Sequence, residues 1–161
     1  MIKIISGGQT GVDRAALDAA IKAYMPHGGW CPKGRLSEAG PLPSQYQLNE
    51  TPSEEYAQRT LWNIRDSDAT LIFVPSLPLQ VTDGTVLTIE EVKKQSKPYL
   101  IVDLSRQTST DEIINWIKDN HVNILNVAGP RESQSPGIYA ATHQFMVELC
   151  VLLKDKYRKK L

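Results

Sequence analysis

The chain has 161 residues, with 18 basic and 18 acidic side chains and no formal net charge, so no global field draws it to nucleic acid or an anionic membrane, and any anion must be held locally. Hydrophobic residues at 41% and charged residues at 22% are ordinary for a globular chain, and the length suits one domain, 1–161, whose core needs no staples. Cys31, Cys150 and 3 histidines off ligand spacing make no metal site, and scarce cysteine, no signal-peptide pattern and no apolar run near the roughly 20 residues of a membrane span point to the cytoplasm.

The first element is an apolar run at residues 2–5, read as a strand. A helix follows, with Val12, Ala16, Ala19, Ala20 and Ala23 at helical spacing. A short strand is expected near Gly29-Trp30-Cys31. Residues 32–50 contain Gly34, Gly40, Pro41 and Pro43 and read as a long loop, placed as a cover over a site. Thr51-Pro52-Ser53-Glu54 reads as a capping box that starts a second helix, with Ala57, Leu61 and Ile64 on its inner face.

Continuous apolar runs recur at 70–74, 99–104 and 123–127. Runs that barely alternate suit strands covered on both faces, as in a parallel sheet. Helices are expected at 85–95, at 111–118 after a Ser109-Thr110 cap, and from Ser135-Pro136 onward. The last would carry Ile138, Ala141, Phe145, Leu149 and Leu152 inward and end in the basic tail at 154–160, suited to the negative end of the helix dipole. Strand and helix alternate throughout. The fold class is therefore α/β: a Rossmann-like, doubly wound, mainly parallel sheet of 4–6 strands flanked by helices.

In such a sheet, ligands bind beyond the carboxyl ends of the strands. The first strand ends in Ser6-Gly7-Gly8-Gln9-Thr10-Gly11-Val12-Asp13-Arg14. Three glycines in five residues permit a tight turn, and the following helix points free N–H groups at it, which is the physics of a phosphate cradle. Asp13 either caps that helix or grips a ribose hydroxyl or an exocyclic amine, with Arg14 offsetting its charge. A second turn, Asp83-Gly84-Thr85, opens the next helix with donors, a hydroxyl and a carboxylate. A third carries Arg131, able to fork onto a phosphate. Lys33 and Arg35 add positive charge near the same rim. Trp30 is either a core residue or a platform for a flat ring; Cys31 reads as structural.

The segments Gly7-Gly8-Gln9-Thr10-Gly11-Val12-Asp13-Arg14, Gly29-Trp30-Cys31-Pro32-Lys33-Gly34-Arg35, Asn63-Ile64-Arg65-Asp66-Ser67-Asp68, Thr82-Asp83-Gly84-Thr85 and Gly129-Pro130-Arg131-Glu132-Ser133 resemble the molybdenum cofactor carrier-like family, within the lysine-decarboxylase-like (SLOG) Rossmann-like superfamily. The resemblance covers nearly the whole chain. It implies a small-molecule site at 7–13 and 83–85 for a nucleotide-like or pterin phosphate, molybdenum cofactor (molybdopterin) as the carried ligand, and a homodimer or homotetramer.

The hydrolase branch of that superfamily carries a Pro-Gly-Gly-x-Gly-Thr-x-Glu-Glu motif and an upstream arginine. Here Gly84-Thr85 matches the glycine-threonine step and Arg59 matches the arginine, but Leu87 occupies the glutamate position. Leucine cannot stabilise a reacting anomeric carbon. The expectation is therefore a binding or carrier protein for a phosphorylated ligand. It uses Gly7, Gly8, Gln9, Thr10, Gly11, Asp13, Arg14, Lys33, Asp83, Gly84, Thr85 and Arg131. The alternatives are a nucleotide N-glycosidic hydrolase with Asp13 or Asp83 as catalytic carboxylate, and a nucleotide-ligand sensor.

Overall fold

The computed structural model describes residues 1–79 and 84–158. In chain order the elements are β1 (Lys3–Ile5), α1 (Val12–Lys22), β2 (His27–Gly28), β3 (Trp30–Cys31), β4 (Asn49–Glu50), α2 (Tyr56–Arg65), β5 (Ala69–Val74), α3 (Gly84–Lys94), β6 (Tyr99–Asp103), α4 (Thr110–Asp119), β7 (Ile124–Ala128) and α5 (Ile138–Arg158). Five strands form one sheet in the order β2-β1-β7-β5-β6, and every pairing is parallel. β3 and β4 pair in parallel beside it. All six residues of β5 are buried, as a central strand covered on both faces requires. The fold is Rossmann-like α/β.

The order explains where a ligand can go. Counted from β7 instead of β1, the strands read third, second, first, fourth, fifth, the arrangement of a dinucleotide-binding sheet. α1 and α4 pack against α5 on one face, and α2 packs with α3 on the other. The chain leaving β7 turns to the α5 face, whereas the chain leaving β5 turns to the α3 face. Between these neighbouring strands the connections diverge and leave a crevice at the carboxyl edge.

The main core lies between the sheet and α1, α4 and α5, with Ile4, Leu71, Phe73, Leu125, Ile113, Ile117, Met146 and Leu149 among its members. Alanine at 16, 19 and 20 lets α1 lie close to the sheet. α4 begins as expected, with Ser109 Oγ accepting from Asp111 N.

Three local expectations are corrected. α2 starts at Tyr56, not at Pro52, and Glu55 occupies its cap position. Thr51 donates its hydroxyl to Ser53 O, and its N–H goes to Cys31 O, so this stretch continues the extended backbone of β4 instead of capping a helix. Ala57 is accordingly exposed. On α5, Ile138 and Leu149 are buried and Phe145 and Leu152 pack on the core as expected, but Ala141 is exposed, and the inner face is wider than expected, with Thr142, Met146, Cys150 and Leu153 also buried. Its start is held by Glu132, whose carboxylate accepts from Gly137 N and Tyr139 N.

Candidate functional site

The crevice is a polar cleft. The turn after β1 contributes Gly7, Gln9 and Asp13; α2 contributes Arg59, Thr60 and Asn63; α3 contributes Gly84, Thr85 and Thr88. The end of β7 and its following turn complete it with Asn126, Gly129 and Arg131. Four sequence-distant segments thus meet where the topology opens the sheet.

The β1–α1 turn is built so that alternate residues face opposite ways. Gly7 lies directly beneath Arg59: a Cβ there would stand 1.8 Å from Arg59 Nη1. Arg59 in turn pairs with Asp13, Nη1 to Oδ2 at 2.6 Å, with both side chains largely buried. The same Oδ2 accepts from Gln9 N at 3.3 Å. Burial pushes the Asp13 carboxyl above the usual carboxylate value, and the Arg59 guanidinium pulls against it. Asp13 is thus an ion-paired wall of the cleft, and its helix-start position is occupied for that pair.

The other residues of the turn serve the scaffold. Gly8 has φ +78° and abuts Leu42 and Leu48 of loop 32–50. Gly11 has φ +77° and touches Pro130 O and Glu132 N, so the β7–α5 turn packs against it. Thr10 donates its hydroxyl to Glu38 and accepts from Glu132 N at 3.2 Å. Arg14 donates to Gly8 O and Ser37 Oγ and lies over the Tyr46 ring. None of Gly8, Thr10, Gly11 and Arg14 lines the cleft.

Loop 32–50 braces the back of this turn; it does not cover the cleft, which none of its residues lines. Arg35 organises it by donating to the carbonyls of Leu42, Pro43, Tyr46 and Leu48, and is spent there, away from the rim. Tyr46 bonds Asp18 on α1 at 2.6 Å; burial, with that carboxylate, pushes its hydroxyl up to about 12. Glu38 accepts from Thr10 and Ser133. Partial burial raises its carboxyl, but these hydrogen bonds prevail and hold it below the usual range.

Lys33 is exposed and stands outside the cleft. Trp30 is half-buried, edge-on to Trp62, with its indole N–H on Asp66 Oδ2 at 2.7 Å; it stacks on no part of the cleft. Cys31 is buried, and burial raises its thiol. Asp83 lies outside the described residues. Gly84, Thr85 and Arg131 do line the cleft, while Leu87 does not.

Further cleft residues come from outside the glycine turns, Arg59, Asn63 and Asn126 among them. Tyr56, at the start of α2 and behind the cleft lining, is flanked by two guanidinium groups that do line it, Arg59 at 5.5 Å and Arg131 at 5.6 Å from its ring centre. The ring thereby holds two cations within reach of one cleft. Asn63 is fixed between Trp30 N and Trp30 O at 2.8 and 3.0 Å, which pins α2 to β3. Asn126 is a further polar residue inside a buried strand, with its amide on Thr70 Oγ1. Its presence in an apolar run was the one sequence signal for it.

Among the described residues no helix is long and apolar enough to cross a membrane, and no cluster of three or more His, Cys, Asp or Glu could hold a metal ion.

No curated protein matches this chain. A crystal structure of a protein named "Putative molybdenum carrier protein", from Syntrophus aciditrophicus SB, is 46% identical, covers 94% of this chain and 95% of its own, and superimposes with a TM-score of 0.85. Residues 4–150 match the Circularly permutated YpsA SLOG family, and a strand order that becomes a dinucleotide-binding order when counted from β7 fits a permuted chain. The chain belongs to this SLOG family.

Proposed function

We propose that the cleft binds a phosphorylated nucleotide-like or pterin ligand and that the protein carries or presents it, with molybdenum cofactor as the cargo. The observation that carries this reading is the donor-rich wall. Arg59 and Arg131 converge through Tyr56 on a cleft lined by the Gly7 turn and the start of α3. Guanidinium groups and helix N-terminal N–H groups suit phosphate oxygens. The name of the Syntrophus relative agrees with a molybdenum cargo. A cytoplasmic homodimer or homotetramer, with no nucleic-acid or membrane partner, belongs to the same reading.

A thermal-shift panel of AMP, ADP-ribose, NAD, stabilised molybdopterin and molybdate tests it. Saturation at 100 times the dissociation constant adds about 2.7 kcal/mol, or roughly 5 to 10 °C at this size. A rise with at least one phosphorylated compound is expected; a rise with molybdopterin above that with nucleotides assigns the cargo, and no rise with any phosphorylated compound overturns the reading.

N-glycosidic hydrolysis is the second reading, favoured by one observation: Asp13 places a buried carboxyl in the cleft. Against it, that carboxyl is engaged by Arg59, and Leu87 stands where the hydrolase branch has glutamate. Release of free base from AMP, abolished by Asp13→Asn, would establish it.

A further inference from the structure

Gln9 is only 5% exposed and lines the cleft. Its side-chain oxygen accepts two backbone N–H groups, Thr10 N at 3.0 Å and Glu38 N at 2.9 Å. Those two donors fix which end of the carboxamide is which, because a reversed amide would aim its own N–H₂ at them. The remaining polar atom, Nε2, is buried and has no partner. Arg59 Nε is likewise buried without a partner, while Arg59 Nη1 is committed to Asp13. Buried donors left unpaired cost free energy; Arg14 Nε and Thr142 Oγ1 are unpaired as well, and what sets Gln9 and Arg59 apart is that both side chains line the cleft.

Resting on the reading of the cleft as a phosphate site, we propose that Gln9 selects what fills it. Gln9 Nε2 and Arg59 Nε form a donor pair for an unprotonated oxyanion of the ligand. Loop 32–50 holds the Gln9 member in place, since Glu38 N orients the carboxamide while the Glu38 carboxylate ties the loop to Thr10 and Ser133, and Asp13 holds the Arg59 member. The back of the turn thus sets the chemistry of its front.

The test is Gln9→Glu, which keeps size and shape. One carboxylate oxygen still accepts from Thr10 N and Glu38 N; the other turns a donor into an anion facing the ligand. Titrations with inorganic phosphate and with AMP, beside melting curves, compare it with wild type and with Gln9→Met. At pH 8 the Gln9→Glu protein is expected to lose about ten- to a hundredfold in affinity for both probes. Part of that loss should return as pH falls and the introduced carboxyl regains a proton to donate, whereas the Gln9→Met loss should not depend on pH.

Wild-type affinity for AMP in Gln9→Glu, or equal pH-independent losses in both variants, overturns the donor pair and leaves the phosphate site standing. Gln9-dependent binding of inorganic phosphate with no organic phosphate bound keeps the donor pair and overturns the nucleotide-like reading. Absence of binding of either probe to wild type overturns both. If Gln9→Glu does not fold, undiminished affinity in Gln9→Met is sufficient to overturn the pair.

Discussion

One turn, residues 7–14, carries two regions of opposite character. Its cleft side, Gly7, Gln9 and Asp13, holds a buried ion pair and an unpaired donor. Its back side, Gly8, Thr10, Gly11 and Arg14, is hydrogen-bonded or packed against loop 32–50 and the β7–α5 turn. Every residue of the back is hydrogen-bonded or packed, though Arg14 Nε is left without a partner there, whereas on the front the unpaired donor, Gln9 Nε2, belongs to a side chain that lines the cleft. The packing of the back fixes the direction in which the front faces.

Substitutions that break one side should leave distinct signatures. The largest effect is expected from Arg59→Ala, which strands the buried Asp13 carboxyl. Removing one partner of such a pair costs about 3–5 kcal/mol. The loss should grow as pH rises, because the stranded carboxyl escapes its penalty only when protonated. Urea denaturation at pH 5 and pH 8 measures it, and equal losses at both would contradict the pairing.

Gly11→Ala attacks the back. Its Cβ would sit 2.4 Å from Pro130 O at φ +77°, a clash with backbone that cannot swing aside. A loss of about 2–4 kcal/mol is expected, seen as a lower urea midpoint at unchanged slope.

Gly7→Ala attacks the front. Its Cβ would stand 1.8 Å from Arg59 Nη1 and 2.8 Å from Arg59 Cδ and Cζ, so the guanidinium must shift within its buried pair with Asp13, and its φ is not in the left-handed region. Stability should fall by about 1–2 kcal/mol, less than in Arg59→Ala, while ligand affinity falls further. Gly8→Val is the weaker probe of the ligand, because Gly8 faces Leu42 and Leu48.

The smallest effects are the titrations of the two regions, and their signs differ. Glu38, on the back, has its carboxyl held below the ordinary 4.5. Its contribution to stability is complete above that value and lost as pH falls through the lower folded value. Asp13, on the front, is raised above the ordinary 3.8, chiefly by burial. The fold favours its protonated form, so its contribution declines as pH rises from that value through the higher folded one. Carboxyl carbon NMR titration should place Glu38 below its ordinary 4.5 and Asp13 above its ordinary 3.8, and a shift of the opposite sign in either would contradict this electrostatic contrast.

Much of this architecture is legible in the sequence, for reasons that also explain what is not. The apolar runs at β1, β5, β6 and β7 announce buried parallel strands because both faces are covered. β2 and β4, two residues each, carry no periodic signal at all. Thr51-Pro52-Ser53-Glu54 has the composition of a capping box, but a neighbouring β3 offered its backbone a partner first. In the site, the glycine turn shows its place in the chain but not its two sides. Which residues face the cleft depends on loop 32–50 and on the β7–α5 turn, far away in sequence. Arg59 and Arg131 stand 72 positions apart in numbering, and only the tertiary fold brings both to Tyr56.

The most direct test of the account is calorimetric titration of wild type and Gly7→Ala with molybdopterin and with AMP. The account predicts that wild type binds a phosphorylated ligand with one site per chain and that Gly7→Ala, still folded by its melting curve, loses at least about tenfold in affinity. Equal affinity in the two proteins would place the ligand elsewhere, and no heat from either compound with wild type would contradict a phosphate-binding cleft.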